Sequence, residues 1–382
     1  MNVVHVSVTP LAGSPIRIVN AINAHTNFTA ELIVLNPDAY GTRTFGGGYG
    51  WNQDRDTCLE LIKAADILHI HHYFPLDSTE NPFNFNFSAT KIPCIRQFHS
   101  HPLTIAHGDV TFAASIVNDK TPSLVIAQYH ERFFPLARVV PNIVPINEDA
   151  YAPCKETTGE IIAYSPSINK SAWDTIQNGS RFDTKGAPET IRLLKQIQSR
   201  HKNVQLQIIT DKPHSECMRL KRESTLAIDD LITGSYHLSS LETLAMGKPT
   251  LCFIDQRTEN IIKEITGCNE IPWVNTKIEE AEYILDAFLS DAGLRQSFGR
   301  ESRKWMERYW NDATLIEYYE AAYIDLLNAP GKYSQPRFDK DDVRVRWLIE
   351  DQFELQWNAR KAQANLVKSN NRLRWFTRSQ QK

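Results

Sequence analysis

The chain has 382 residues, of which 42% are apolar and 23% charged, with only 16 glycines and a net charge of −3. That length predicts two domains and an appendage. The composition excludes a disordered tail, a fibrous repeat and a protein that coats nucleic acid through overall basicity.

The start, MNVVHVSVTP, reads as a buried first strand and not as a signal peptide, and no apolar run is long enough for a spanning helix. The first 145 residues alternate β-branched runs with helical stretches, which predicts a parallel α/β sheet. Its strands are expected at 3–8, 31–35, 66–70, 92–98, 124–127 and 138–140. Helices are expected at 15–24 and 52–65, the first with Ser14 as N-cap and Pro15 at its first position.

The Pro-rich segment 141–146 marks a domain boundary. A second alternating series follows, with strands at 161–164, 204–210, 226–229 and 250–254 and helices at 187–200, 215–222 and 239–246. Beyond Glu279 the pattern is helical to about Asn328, with Trp305, Tyr309, Trp310, Tyr318, Tyr319 and Tyr323 suited to packing on two surfaces.

These boundaries predict a first domain over 1–145, a second over 146–310, a helix over 311–330 packing back on the first, and a basic helical tail over 331–382. In the tail, Leu348, Leu355, Ala359, Ala362, Leu366 and Leu373 share one seam, and residues 360–382 carry seven Lys and Arg and no acid. That pattern suits packing on the same chain, self-association through 340–382, or contact with an anionic membrane surface. The six cysteines stand apart without a C-x-x-C pair, so reduced thiols and a cytoplasmic location are expected, with peripheral contact at the inner face of a membrane as an addition.

In tandem α/β domains, ligands bind beyond the carboxyl ends of the strands, so the cleft between the halves is the expected site. Its most informative stretch runs from Gly234 to Thr250. Ser239 and Ser240 open a helix whose free N–H groups and dipole can hold a phosphate, and Glu242 can accept from vicinal sugar hydroxyls. The alternative is an ordinary capped helix. Upstream, Ser165 and Ser167 end a strand, and Arg181 and Lys185 precede a helix where they can neutralise a diphosphate.

Residues 160–255, with their Lys-Gly helix, Leu-Glu step and Ala-Met-Gly-Lys-Pro run, resemble the donor domain of GT-B type glycosyltransferases of the family 4 group. The amino half resembles the acceptor domain through Ala12-Gly13-Ser14 and Phe98-His99. The resemblance implies two Rossmann-like α/β domains facing a cleft, with a C-terminal helical extension. It also implies a nucleotide-diphospho-sugar as co-substrate, no other cofactor, no metal, and transfer with retention to a glycan, glycolipid or protein hydroxyl.

It assigns the catalytic roles to His99, Lys185 and Glu242. Donor binding falls to Gly13, Ser14, Ser165, Ser167, Arg181 and Lys185, and, around the second helix, to Tyr236, His237, Ser239, Ser240, Leu241 and Glu242. Gly234 stands where the family often carries a second Glu.

Three further features remain. His69, His71 and His72, with His99 and His101, read as polar cleft lining more readily than as zinc ligands, since no Cys or H-E-x-x-H helix accompanies them. The loop from Gly41 to Gly50 is either a surface loop or an acceptor-gripping loop with Phe45, Tyr49 and Trp51 as stacking faces. A nucleotide-sugar epimerase and a catalytically weak sugar-nucleotide-binding scaffold are the rival functions, and no nucleic-acid partner is expected.

Overall fold

The computed structural model describes residues 1–39, 45–154, 159–166, 185–333 and 361. The β-branched runs of the first half form β1 (Asn2–Ser7), β2 (Thr29–Val34), β3 (Tyr49–Gly50), β4 (Ile67–His71), β5 (Cys94–Phe98), β6 (Ser123–Ile126) and β7 (Arg138–Val140), ordered β3-β2-β1-β4-β5-β6-β7. The second half forms β8 (Glu160–Tyr164), β9 (Val204–Ile208), β10 (Leu226–Ile228), β11 (Thr250–Cys252) and β12 (Val274–Asn275), ordered β12-β11-β10-β8-β9. Every pairing in both sheets is parallel, as strands connected through crossover helices must be.

The helices of the first half are α1 (Ser14–His25), α2 (Arg55–Ala64), α3 (Pro102–Ile105) and α4 (Val110–Val117). Several boundaries differ from the sequence reading. Helix α1 starts one residue early, with Gly13 as N-cap at φ 78°, so Ser14 is helical and not the cap. The two-residue strands β3 and β12 are too short to carry a periodicity signal. Trp51 is no stacking face, because it lies buried in the core and its Nε1 donates to Phe83 O at 3.0 Å. No disulfide joins any of the six cysteines.

The linker carries buried Ile143, Val144 and Ile146 into a core that also contains Val3 and Ile18 of the first half, Leu241 and Leu244 of the second, and Trp310, Tyr319 and Tyr323 of the last helices. Trp310 Nε1 donates to Asn142 O at 3.1 Å and Tyr319 Oη to Pro141 O at 2.9 Å, so the C-terminal helices hold the linker in place. Residues 334–360 and 362–382, which include almost all of the tail, lie outside the described residues.

One face of the first sheet changes character along its strands. Val3, Ile67 and Ile95 begin it as apolar core, and His5, Ser7, His69, His71 and Gln97 continue it, all buried. The β1–β4 register sets His5 beside His69 and Ser7 beside His71. Burial first, and neighbouring imidazoles second, hold His5 down at about 3 and keep His71 well below the ordinary value; His69 is likewise lowered, against a raising contact from Gln97. His72 is lowered to about 4 by burial, His99 by burial and neighbouring imidazoles, and His130 by burial, neighbouring imidazoles and Lys185.

A neutral folded ring with a lowered pKa refuses a proton that the unfolded chain accepts below about 6.5, so stability is present above that value and is lost as pH falls beneath it. The melting temperature should therefore drop between about pH 7.5 and about pH 5.5, and His69→Gln should make the drop shallower. An unchanged melting temperature over that window would refute the neutral assignment.

Candidate functional site

The two halves meet where α1 faces helix α6 (His214–Glu223) and helix α7 (Leu238–Ala245) of the second half. Glu242 lies on α7 and is buried, and its two oxygens are shared. Oε1 accepts from Arg17 Nη2 on α1 at 3.0 Å, and Oε2 accepts from Lys221 Nζ on α6 at 2.6 Å. His214 Nε2 stands 3.7 Å from Oε1. Burial alone would raise the carboxyl pKa, but Lys221, His214 and Arg17 outweigh it and hold Glu242 well below the usual carboxylate range.

A cavity of about 900 Å³ adjoins this cluster, lined by Gly13, Arg17, Phe45, Tyr151, His214 and Met218 among others. Gly13 is held at positive φ, and a Cβ there would meet Phe45 Cδ1 at 2.8 Å. Phe45 in turn faces the His214 ring, with centroids 5.0 Å apart, so an aromatic pair bridges the halves at the cavity.

A second cluster gathers at the carboxyl ends of β8, β10 and β11. Lys185 has φ 51° immediately before Gly186, the αL N-cap of helix α5 (Ala187–Arg200). A Cβ at Gly186 would strike Ile232 Cγ1 at 2.2 Å, so this turn admits only glycine. Burial lowers the Lys185 pKa, with Asp229 and Asp230 opposing it. Asp229 accepts from the backbone N–H of His237 at 2.6 Å and lies 3.2 Å from His237 Nδ1, which fixes the N-cap of α7. His130, from the first half, is influenced by both His237 and Lys185.

The turn Tyr129–Phe133 closes this edge of the cleft. Tyr129 N donates to Ser235 Oγ at 2.8 Å, Arg132 pairs with Asp255 at 2.5 Å, and Arg257 pairs with Glu131. Gly234, at φ 82°, packs so tightly on Asp255 that a Cβ would come within 2.9 Å of the Asp255 Cβ. The side of Gly234 is therefore filled by a carboxylate already neutralised by Arg132.

The expected site residues are placed unevenly. Gly13, Lys185, His237 and Glu242 border the cleft as described, and Ser14 and Ser239 are half-buried at the starts of α1 and α7. Ser165 follows β8 and stands 4.0 Å from Cys217 Sγ. Ser240 and Leu241 are buried, with Ser240 Oγ donating to His237 O at 2.9 Å, so only their backbones can meet a ligand. Tyr236 is a core residue and not a cleft contact: it is fully buried against Trp273 and Trp310 because it faces the last helices.

Ser167 and Arg181 lie outside the described residues. His99 is half-buried at the end of β5, next to His71 and His72. His5, His69 and His71 offer ligand nitrogens within 4.8 Å of one another, the one such three-residue group among the described residues. In that group His5 Nδ1 and His71 Nε2 lie within hydrogen-bond distance of each other, at 3.0 Å.

Sequence reasoning missed Arg17, Lys221, His214, Asp229 and Asp230. The Asp pair ends a strand, the position where ligands meet such sheets, and that signal was available. Arg17 and Lys221 carried none, since each sits on a helix whose neighbours are set by the packing of the two halves.

No family model and no curated protein matches the sequence. Solved structures do match its fold. A sucrose-phosphate synthase from Thermosynechococcus elongatus covers 86% of this chain and 100% of its own, with 11% identity and a TM-score of 0.51. An alpha-glucosyltransferase in complex with UDP and a 13-mer DNA containing an HMU base covers 85% and 99%, with 11% identity and a TM-score of 0.54. Anabaena HepE, in complex with UDP and glucose, covers 85% and 100%, with 13% identity and a TM-score of 0.53. The chain thus has the GT-B fold, two Rossmann-like α/β domains facing a cleft, with helices following the second sheet.

Proposed function

We propose that the protein transfers a sugar from a nucleotide diphosphate donor to a hydroxyl acceptor, with retention and without a metal. The observation that carries this reading is the cleft between the sheets. Gly13 and Arg17 of the first half and His214 and Met218 of the second line one cavity, and the buried carboxylate of Glu242 bonds Arg17 beside it. Fold neighbours crystallised with UDP support the donor class.

In this reading the cavity takes the nucleoside, and Gly13 admits the diphosphate where a side chain would block it. The leaving diphosphate gathers negative charge, which Lys185 and the free N–H groups at the start of α7 stabilise as it develops. Arg181 and Ser167 are proposed to add to that contact, with Ser165 and His237 beside it. Glu242 holds Arg17 and Lys221 in place and offers its remaining lone pairs to the ribose hydroxyls. His99 orients a hydroxyl near the reacting carbon.

The acceptor is proposed to be a glycan, glycolipid or protein. One fold neighbour is bound to DNA, so fold alone does not set this class. Among the described residues no helix is long and apolar enough to cross a membrane. Self-association or peripheral membrane contact is proposed for 340–382.

The Asp255–Arg132 pair beside Gly234 favours one second reading, a sugar-nucleotide binder with weak catalysis, because the carboxylate nearest that position is already neutralised. Measuring donor hydrolysis with a panel of nucleotide sugars separates the two, since a binder stabilises the protein without turnover.

Lys185→Ala should lower kcat/KM by about 100- to 1,000-fold, the usual cost of one preorganised electrostatic contact. Wild-type activity in that variant would remove Lys185 from the site. Glu242→Gln leaves Arg17 and Lys221 as buried cations without their partner, so it should cost about 3–5 kcal/mol of stability in chemical denaturation as well as weaken donor binding. A fully stable Glu242→Gln protein would contradict the buried three-way pairing.

Activity should survive EDTA, because protein cations and helix N–H groups supply the charge that a divalent ion provides elsewhere. Complete loss that only added metal restores would overturn the metal-free mechanism.

A further inference from the structure

Lys248, in the turn between α7 and β11, is a buried lysine for which the transfer reaction has no use. It is 8% exposed, and its Nζ donates to Cys154 Sγ at 3.5 Å with no other hydrogen-bond partner among the described residues. Sulfur is a weak acceptor, so it compensates little of what a charged amine loses on leaving water. Burial accordingly holds the Lys248 pKa below its ordinary value, against an opposing contact from Cys154. That enlarges the share of neutral amine, which is the nucleophilic form.

Cys154 meets Lys248 from the segment that follows the linker. Its S–H donates to Arg222 O at 2.9 Å, in the last turn of α6, because a carbonyl can only accept. The sulfur lone pairs are left for Lys248. Both segments are clamped from behind by Arg303, on the helix Ala292–Tyr309. Its Nη1 donates to Ile146 O at 3.1 Å and Tyr151 O at 3.2 Å on one side, and to Ala245 O at 2.6 Å on the other. Gly247 packs on Pro153, with a Cβ built there 3.7 Å from Pro153 Cγ. The approach of sulfur to nitrogen is thus held by its surroundings. Cys154 is half-buried and lines the large cavity with Tyr151 and Arg222, so a small solute meets the thiol there, with Lys248 behind it.

We propose that Cys154 and Lys248 form a redox-modification site, in which a hydroperoxide oxidises the thiol to a sulfenic acid and Lys248 captures it as a sulfenamide that thiols reverse. In the first step sulfur attacks one peroxide oxygen and the O–O bond breaks. That oxygen stays as S–OH, and the other leaves as water with the thiol proton. The Lys248 lone pair then attacks sulfur, the S–N bond forms as the S–O bond breaks, and the hydroxyl leaves as a second water with an amine proton. Sulfur gives up two electrons, the peroxide takes them, and the chain loses two hydrogens. The bond ties the segment after the linker to the turn between α7 and β11. It requires nothing of the donor or the acceptor.

Treating the full chain with hydrogen peroxide, alkylating its remaining thiols and mapping the peptides by mass spectrometry tests the site. The expected product is a linked pair of peptides holding Cys154 and Lys248, about 2 Da lighter than their sum, which dithiothreitol separates into the starting peptides. Lys248→Met keeps the length of the side chain and removes the amine. In that variant Cys154 should pass on to the sulfinic acid, which dithiothreitol does not reduce, so the Cys154 thiol recovered after reduction should fall from most of the protein to little of it. Sulfinic acid at Cys154 as the main product in the unaltered chain would overturn the proposal. So would an intact Cys154 thiol while Cys94, Cys217 or Cys268 is oxidised, or full recovery of the thiol in Lys248→Met. The linked peptide is read in the unaltered chain, so the test holds even where the variant does not fold.

Discussion

Glu242 holds a negative charge in the core between a cation from each half of the molecule, and the seating of the halves turns on that sharing. Lys221 and Arg17 sit on different domains, and both are about as buried as the carboxylate they share. Three charges out of water are tolerable only together, because each alone would face the full desolvation cost. The closed arrangement is therefore coupled to the electrostatics of α7, the helix that begins at the proposed phosphate site. A ligand that competes for the Glu242 oxygens acts on the contact that binds α1 to α6.

The opposite edge of the cleft is closed by different chemistry. There, the turn Tyr129–Phe133 places Glu131 and Arg132 on Arg257 and Asp255. The Arg132–Asp255 pair is partly exposed and contributes little by itself, whereas Glu131 is buried and depends on Arg257 for its charge partner. Between the two edges the linker is buried, with Trp310 and Tyr319 donating to its carbonyls. A linker secured by the C-terminal helices limits how far the halves can separate, and the last of those helices also reaches the imidazoles under the first sheet, through Tyr323 Oη at His69 and His5.

Much of this was legible in the sequence. The alternating runs gave both parallel sheets to within a residue or two at most ends, because strands buried on both faces must be apolar and β-branched. The Lys185-Gly186 turn and the Leu241-Glu242 step were legible because their chemistry is local: a left-handed turn needs glycine, and a helix start needs free N–H groups. Tyr236 and Trp51 were misread for one reason. An aromatic beside a motif looks the same whether its ring faces a cleft or a core, and only the opposing surface decides.

The sequence by itself determined the two α/β series and the break at 141–146, since these rest on periodicity and on backbone needs that neighbours in sequence report. Tertiary structure alone decided that Arg17 and Lys221 share Glu242, that Asp255 fills the side of Gly234, and that Tyr323 links His69 to His5. Those partners lie 21 to 318 positions apart along the chain. Hydrogen bonds and ion pairs act over a few ångströms whatever the sequence separation, so which groups meet is fixed by how the sheets and helices pack.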